Sequence, residues 1–273
     1  MSDLVTVSIA EGIADIRLNR PDKHNSLILE MFDAINAAAA ALADHPAIRV
    51  VVLSGNGASF CAGLDFSIMA EMLKGPTAVC AVLDRLLARD GGADNRAQRA
   101  AMAWQNAPVP VIAALHGVAF GGGCQIALAA DLRIAASDTR LSVMEIKYGL
   151  IPDMGLSQTL PALVRLDVAK ELTLTGRIVE AQEALQLGLV TRIAADPLAV
   201  AFDIARGIAS RSPHAVRASK RLLNEAWCAA APSGLALEEA LQRTLLGSPD
   251  QIEAVKASME KREPKFVASG AGA

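Results

Sequence analysis

The most informative stretch is residues 110–136, PVIAALHGVAFGGGCQIALAADLRIAA. Its apolar start, 111–115, is typical of a strand that is buried on both faces of a sheet. Its centre, 124–130, is typical of a buried helix, and the three glycines at 121–123 indicate a tight turn between the two. A further strand is predicted at 131–136. The stretch therefore predicts a strand, a glycine-rich turn, a helix and another strand in succession.

Residues 111–130 of this stretch carry no formal charge, and they are about as many as a membrane-spanning helix needs. A helix that faces lipid would have to carry four glycines there, together with His116 and Gln125. Because these residues suit a lipid-facing helix poorly, we expect a strand and a helix instead, and no membrane segment.

Composition excludes several other classes of protein. The 273 residues are 52% hydrophobic and 20% charged, which suits a large buried core. A net charge of −3 is too close to neutral for binding nucleic acid or acidic membranes through charge alone. The four cysteines lie far apart without a CxxC pair, which argues against a disulfide framework and a metal site. No signal peptide is visible, so we expect a cytoplasmic protein.

Predicted strands and helices alternate up to about residue 156, and the rest of the chain is mostly predicted helix. This order indicates an α/β body with a helical C-terminal part. Near the N-terminus, Asn25 or Ser26 is predicted to cap a helix over 27–43. The weakly patterned segment 74–94 is predicted to be a mobile or variable insertion.

A second glycine loop has the sequence SFCAGLDF (59–66) and also precedes a predicted helix. Glycines at a strand-to-helix turn expose main-chain N–H groups at a helix N-terminus, an arrangement that stabilises an oxyanion. Two such loops are therefore predicted to direct two N–H donors at one carbonyl oxygen. A nicotinamide-dependent oxidoreductase is the alternative, but its GxGxxG pattern fails because residue 126 is Ile.

The chain resembles the crotonase (enoyl-CoA hydratase/isomerase) superfamily over nearly its whole length. The motifs that carry the resemblance are, in chain order, RPDKHNSL (20–27), SFCAGLDF (59–66), the stretch 110–136, EIKYGLIPDMG (145–155), LTGRIVEAQEALQLGLV (174–190) and MEKREPKF (259–266). The resemblance implies an α/β, crotonase-like (ClpP/crotonase) superhelix of repeated ββα units. It also implies a core over 1–200 and a helical region over 201–273 that assembles homotrimers or hexamers and closes the acyl pocket.

The resemblance further implies an acyl-CoA thioester substrate. Coenzyme A then enters only as part of that substrate, and no other cofactor and no metal is expected. By motif position, the main-chain N–H groups of Leu64 and Gly122 would form the oxyanion hole. Contacts with CoA are implied for Lys23, Ala62, Asp65 and Lys261.

The acid–base positions depart from the pattern of the hydratases. Enoyl-CoA hydratases carry Glu at the positions of both Gln125 and Glu145, whereas here the first is an amide, which holds a water but does not take its proton. Asp153 stands where the dienoyl-CoA isomerases also have Asp, although those isomerases carry a further Asp at position 125. The resemblance thus implies Glu145, Asp153 and Gln125 as catalytic residues.

Structural roles for the same three residues stay open at this point. Glu145 can pair with Lys147 along an extended segment. Asp153 can cap a helix that begins near Leu156, a position that favours Asp. Gln125 can satisfy a buried carbonyl group.

These features together predict acid–base chemistry on an enoyl-CoA through a thioester enolate, as in fatty-acid β-oxidation. Double-bond isomerisation is favoured because it moves a proton between carbons, for which Glu145 and Asp153 suffice. The alternative is hydration of the 2,3 double bond, with a water held by Gln125 and both proton steps performed by Glu145. A remoter alternative is a non-catalytic acyl-CoA-binding protein on the same fold.

Overall fold

Strands and helices alternate along the chain before a helical C-terminal part, in a computed structural model that describes residues 3–43 and 45–266. The strands are β1 (Val5–Ala10), β2 (Ile13–Leu18), β3 (Val50–Gly55), β4 (Val111–Leu115), β5 (Val118–Phe120), β6 (Leu132–Ala135), β7 (Arg140–Ser142), β8 (Val179–Glu180) and β9 (Arg192–Ile193). The helices are α1 (Leu29–Ala40), α2 (Phe66–Met72), α3 (Pro76–Leu86), α4 (Arg96–Gln105), α5 (Gly122–Leu128), α6 (Leu156–Thr159), α7 (Leu166–Thr175), α8 (Ala181–Leu187), α9 (Pro197–Ala209), α10 (Pro213–Ala226), α11 (Ala231–Leu245) and α12 (Pro249–Glu260). Short 3₁₀ helices lie at Pro21–Lys23, Glu145–Tyr148 and Leu160–Ala162.

Six of these strands form the main sheet, in the order β1-β2-β3-β4-β6-β9. Strands β1 and β2 form an antiparallel hairpin, and the other neighbours in this sheet are parallel. A smaller sheet has the order β5-β7-β8. Only two residues separate β4 from β5, so the chain passes directly from the main sheet to the smaller one just before α5.

The two central strands are buried on both faces, as their apolar sequences predict. In β3, Val51 and Leu53 pack in the main core, whereas Val50 and Val52 pack on the opposite face. That opposite face is covered by α9, which contributes small side chains to the contact. They are Ala201, Ala205 and Ala209.

The glycine-rich turn also lies where the sequence predicts it. Strand β5 ends at Phe120 and α5 begins at Gly122, and all seven residues of α5 are buried. The charge-free stretch is thus divided between strands and a helix. Within residues 3–43 and 45–266, no helix combines the length and the apolar character that crossing a membrane requires.

The predicted caps of the first helix are wrong. Helix α1 begins at Leu29 with Ile28 as its N-cap residue, and no side chain caps it. Asn25 and Ser26 instead form hydrogen bonds with the loop at 59–65. The gain from satisfying buried groups of that loop outweighs the gain from a local cap.

The segment 74–94 is more regular than its sequence suggests, because it contains α3. The only residue of α3 classed as buried is Val82, which packs with Leu29 and Ile68 in a small cluster separate from the main core. Helices α2 and α3 therefore lie over the body of the protein on a limited contact. The mobility of this segment stays a prediction.

The C-terminal helices begin with α9, which packs against the main sheet, and the predicted boundary at 200/201 falls inside this helix. Helix α10 is joined to the body by the buried ammonium group of Lys220, which donates hydrogen bonds to two main-chain carbonyls and to the Asp131 carboxylate (2.8 Å). The division into two regions stays a prediction, and residues 267–273 lie outside the described residues.

Candidate active site

The two glycine loops meet in direct main-chain contact. The N–H of Cys61 donates to the carbonyl of Val118, and the N–H of Phe120 donates to the carbonyl of Cys61, each at 3.0 Å. A Cβ at Gly63 would lie 2.5 Å from the Phe120 oxygen, and one at Gly123 would lie 2.3 Å from the Cys61 oxygen. Because main-chain oxygens cannot move aside, only glycine at these two positions allows the loops to approach so closely.

The N–H of Leu64 is left free by the pairing of its neighbours. The N–H of Leu27 donates to the Gly63 carbonyl (2.7 Å), and the N–H of Asp65 donates to the Leu27 carbonyl (3.0 Å). In such a parallel bridge, the residue between the two bonded groups points its own N–H to the opposite side. Among the described residues, none accepts a hydrogen bond from the Leu64 N–H.

The N–H of Gly122 is free for a different reason. Gly122 is the first residue of α5, and the first N–H groups of a helix have no acceptor within the helix. In the described part of the chain this N–H also finds no other acceptor. Leu64 and Gly122 line the same cavity, so two unpaired donors adjoin one space, as the sequence predicts for an oxyanion hole.

This cavity has a volume of about 230 Å³ and mainly apolar walls. Near its opening, the rings of Phe66 and Tyr148 pack edge to face with their centroids 5.8 Å apart. The walls combine flexible methionines with branched and aromatic side chains. They include Leu27, Phe32, Met69, Met72, Leu83, Leu86, Ala97, Met144, Leu150, Ile151 and Met154.

Gln125 holds Glu145 at the wall of the cavity. The amide nitrogen of Gln125 donates to Glu145 Oε1 at 2.7 Å, and its amide oxygen accepts from the N–H of Met154 at 2.8 Å. Gln125 is itself buried in α5, so its position is fixed. Glu145 Oε2 is buried and has no hydrogen-bond partner among the residues that the structure describes, so this carboxylate oxygen retains its capacity to accept a hydrogen bond.

Burial raises the pKa of Glu145, and the nearby Asp153 carboxyl raises it further, against the lowering effect of the Gln125 hydrogen bond. Asp153 also lines the cavity, and loss of water around its carboxyl raises its pKa in turn, although Asp153 is the more exposed of the two. Two carboxyl groups whose pKa values lie above their usual range therefore border one cavity.

The structural roles considered for Glu145, Asp153 and Gln125 are not the ones the structure shows. Glu145 begins the 3₁₀ helix at 145–148 rather than lying in an extended segment, and its Oε1 is bonded to Gln125 instead of to Lys147. Asp153 does not cap α6, whose N-cap is Gly155 in a left-handed conformation. The third alternative is wrong as well, because the side chain of Gln125 bonds the Met154 N–H and the Glu145 carboxylate rather than a buried carbonyl group.

The residues predicted to contact CoA lie in several places. Ala62 lines the cavity, and its N–H donates to the carbonyl of His24 (2.9 Å). Lys23 is exposed at the end of the 3₁₀ helix at 21–23, and Lys261 is exposed at the end of α12. The Asp65 carboxylate is already engaged by protein groups. Contacts of these four residues with CoA stay predictions.

Arg20 is a residue of this region that sequence reasoning overlooked. Its guanidinium pairs with the Asp65 carboxylate at 2.5 Å, although the two residues lie 45 positions apart. Arg20 belongs to the quoted motif RPDKHNSL, but nothing in the local pattern indicates its distant partner.

The match to a family model agrees with the fold and the site. The model described as enoyl-CoA hydratase/isomerase matches residues 8–269. The solved structure of an enoyl-CoA hydratase from Bacillus anthracis superposes with a TM-score of 0.87 at 32% identity, covering 96% of this chain and 98% of that one. These matches confirm the crotonase-like α/β fold, and the chain belongs to the enoyl-CoA hydratase/isomerase family.

Relatives of similar identity carry both kinds of name. A protein of Mycobacterium tuberculosis named as a probable enoyl-CoA hydratase is 34% identical over 266 residues, covering 97% of this chain and 98% of the relative. The peroxisomal Delta(3,5)-Delta(2,4)-dienoyl-CoA isomerase of Arabidopsis thaliana is 31% identical over 274 residues, covering 97% and 96%. Likeness to these relatives therefore leaves hydration and isomerisation undistinguished.

The role of the Gly122 N–H is tested by exchanging Gly122 for Pro and, separately, for Ala. Proline is tolerated at the first position of a helix but has no N–H. Alanine adds the same Cβ, which would meet the Met154 sulfur at 2.7 Å, and keeps the N–H. We expect kcat/KM with an active enoyl-CoA to be about 100–1,000-fold lower in G122P than in G122A. Equal losses in both variants would assign the effect to the shape of the wall.

The role of the Glu145 carboxyl is tested by Glu145→Gln. The amide keeps an oxygen for the Gln125 hydrogen bond and removes the group that carries the proton. We expect kcat to fall by about 100–10,000-fold, the usual contribution of a general acid or base. Unchanged kcat would show that the proton travels by another route.

The same variant is expected to be more stable than the native chain at neutral pH. Because the folded-state pKa of Glu145 is raised, ionisation destabilises the folded protein as the pH rises from the ordinary Glu value of about 4.3 through the raised pKa. Glutamine does not ionise, so the Tm of E145Q should exceed that of the native chain at pH 7, and the difference should vanish below about pH 4. A lower Tm at pH 7 would contradict this interpretation and would show that the variant is damaged.

Proposed function

We propose that this chain isomerises a carbon–carbon double bond in an enoyl-CoA thioester. The observation that carries the proposal is the combination of two carboxyl groups, Glu145 and Asp153, with the unpaired N–H groups of Leu64 and Gly122 around one apolar cavity. Isomerisation needs a base, an acid and a site for negative charge. This set of residues supplies all three.

In the proposed reaction, the Glu145 carboxylate removes a proton from a carbon next to the conjugated system of the thioester. The electron pair left behind spreads onto the thioester oxygen, where the N–H groups of Leu64 and Gly122 stabilise the negative charge. Asp153, in its protonated form, then returns a proton to the other end of the conjugated system as the carbonyl re-forms. One carboxyl gains a proton and the other loses one, so no co-reactant is consumed.

The raised pKa values suit this exchange. General acid–base catalysis is most efficient when the pKa of the catalytic group lies near the working pH, and burial shifts the pKa of both carboxyl groups upward, in that direction. The apolar walls also favour an uncharged acyl group, because a second charge would lose its hydration there without a partner. We therefore propose an apolar enoyl chain as the substrate, with no cofactor and no metal beyond the CoA of the thioester.

Hydration of the 2,3 double bond is the second candidate. It is favoured by Glu145 Oε2, which is buried without a hydrogen-bond partner among the described residues and so retains its capacity to accept a hydrogen bond, such as one from a water. The amide nitrogen of Gln125 carries a second hydrogen beyond the one given to Glu145 and can help to hold that water. Glu145 would then perform both proton steps.

A homotrimer, or a hexamer built from two trimers, is proposed as the assembly. Large apolar side chains are exposed on the C-terminal helices, and contacts between subunits would remove them from water. The most exposed are Leu223, Trp227, Leu235 and Met259, together with Leu246, which follows α11.

The reaction type is decided by product analysis with a panel of 2-enoyl-, 3-enoyl- and dienoyl-CoA thioesters. Isomerisation leaves the mass of the thioester unchanged and shifts its ultraviolet absorption, whereas hydration adds the mass of one water. We expect products of unchanged mass. Products that gain a water from every active substrate would favour the second candidate, and an absence of turnover across the panel would favour a binding protein.

The roles of Asp153 and Gln125 are separated with Asp153→Asn and Gln125→Ala. The amide that D153N introduces cannot carry a proton, so an isomerase that uses two carboxyl groups should lose about 100-fold or more in kcat. Gln125→Ala should cost less, because it loosens Glu145 without removing a proton carrier. Both variants are assayed on one active enoyl-CoA. Full activity in D153N with none in Q125A would contradict isomerisation by this pair and would favour a water held by the amide.

A further inference from the structure

A partly buried network of charged and polar side chains lies directly beside the first glycine loop. Asp65 follows Leu64 in the chain, and its Oδ2 accepts hydrogen bonds from Arg20 Nη1 (2.5 Å) and from Ser26 Oγ (2.7 Å). The same Arg20 nitrogen also donates to Ser26 Oγ at 2.7 Å, so the three side chains form a closed ring. Asp65 Oδ1 accepts from the N–H of Ser67 and caps α2.

The side chains of this network are largely removed from water. The exposed fraction is 13% for the Asp65 side chain and 22% for Arg20. Burial alone would raise the pKa of Asp65, but the hydrogen bonds from Ser67, Arg20 and Ser26 bring that pKa well below its usual range. Asp65 is therefore ionised at any working pH. Its carboxylate binds Arg20, Ser26 and the N–H of Ser67 rather than a group in the cavity.

The network lies next to the peptide group that carries the Leu64 N–H and restrains its orientation. Leu64 lies between Gly63, which has a φ of +85° and no side chain to anchor it, and Asp65, whose side chain is anchored on two sides. Ser26 precedes Leu27, the residue that pairs with the main chain on either side of Leu64. The ring therefore links Ser26 and Asp65, the residues directly before Leu27 and directly after Leu64, the two partners of this bridge.

We propose that Asp65, held by Arg20 and Ser26, is a positioning residue that fixes the direction of the Leu64 N–H toward the thioester oxygen. The inference rests on the proposed function, since it assumes that this N–H belongs to the oxyanion hole. Donors in such a hole act at about 2.7–3.1 Å from the oxyanion, and a displacement of about 1 Å can cost about 100-fold in rate. The network touches no reacting atom and acts through the main chain.

The test uses Asp65→Asn. Asparagine caps a helix about as well as aspartate, so the start of α2 is preserved while the charge that binds Arg20 is removed. The matched control is Glu71→Gln, which removes a carboxylate from the same helix α2 but from an exposed pair with Lys74. We expect kcat to fall by about 10–100-fold in D65N with little change in KM, and both constants to be unchanged in E71Q.

A spectroscopic readout separates positioning from a loss of folding. A chromophoric thioester such as 4-(dimethylamino)cinnamoyl-CoA absorbs at longer wavelength when its carbonyl is polarised by hydrogen bonds. We expect the native chain and E71Q to produce this shift on binding and D65N to produce a smaller one at saturating ligand. Native kcat in D65N, or a loss of kcat with an unchanged shift, would overturn the proposal.

A milder variant guards against failure of D65N to fold. Ser26→Ala removes the hydroxyl donor to Asp65 and leaves the Arg20–Asp65 pair in place. We therefore expect a partial loss of kcat and a partial loss of the absorption shift. Native values of both would overturn the proposal. The Gly122 variants keep this test distinct from the test of the proposed function. A shift in the native chain that G122P diminishes supports the oxyanion hole whatever D65N does. Absence of any shift in the native chain would overturn both.

Discussion

The close approach of two main-chain loops is the constraint on which the candidate site depends. At the contact, Gly63 and Gly123 face the carbonyl oxygens of Phe120 and Cys61, at distances that no Cβ could occupy. A larger residue at either position would separate the loops, because a main-chain oxygen cannot rotate out of the way as the end of a flexible side chain can. The spacing of the two N–H donors follows from the spacing of the loops. The absence of side chains at Gly63 and Gly123 therefore sets the distance between the two donors.

The apolar cavity affects both the N–H donors and the carboxyl group of Glu145. It strengthens the interactions of the donors, and it destabilises the ionised carboxyl. Away from water, an N–H group interacts more strongly with a developing negative charge, because the effective dielectric constant is lower. The same loss of water disfavours the ionised form of Glu145, whose Oε2 is buried without a partner. A buried carboxyl group with an unpartnered oxygen reduces the stability of the folded chain. Active sites commonly contain such destabilising groups because their reactivity is needed for function. The large hydrophobic core around β3 and β4 offsets this loss of stability.

Apolar runs and glycine clusters in the sequence correctly predicted the strands, turns and helices that depend on neighbouring residues alone. The apolar run at 111–115 and the glycines at 121–123 indicated the strand, the turn and α5, and the family motifs indicated the residues that now border one cavity. Prediction failed for Asn25 and Ser26, because a polar side chain near a helix start has a choice of partners. Both bind a loop more than 30 residues away, and no local pattern encodes that choice. The Arg20–Asp65 pair was missed for the same reason.

The amide at position 125 gives the site its particular electrostatics. A second carboxylate there would stand in contact with Glu145 and would raise its pKa strongly, since two like charges at that distance do not both ionise. Gln125 instead donates a hydrogen bond to Glu145 Oε1, which lowers the pKa of Glu145 and favours its ionised form, the form that the proposed reaction uses as a base. The remaining influence of like charge on Glu145 comes from Asp153. In the proposed isomerisation the two carboxyl groups are therefore those of Glu145 and Asp153 rather than a pair at positions 125 and 145, and both border the cavity that would hold the acyl chain.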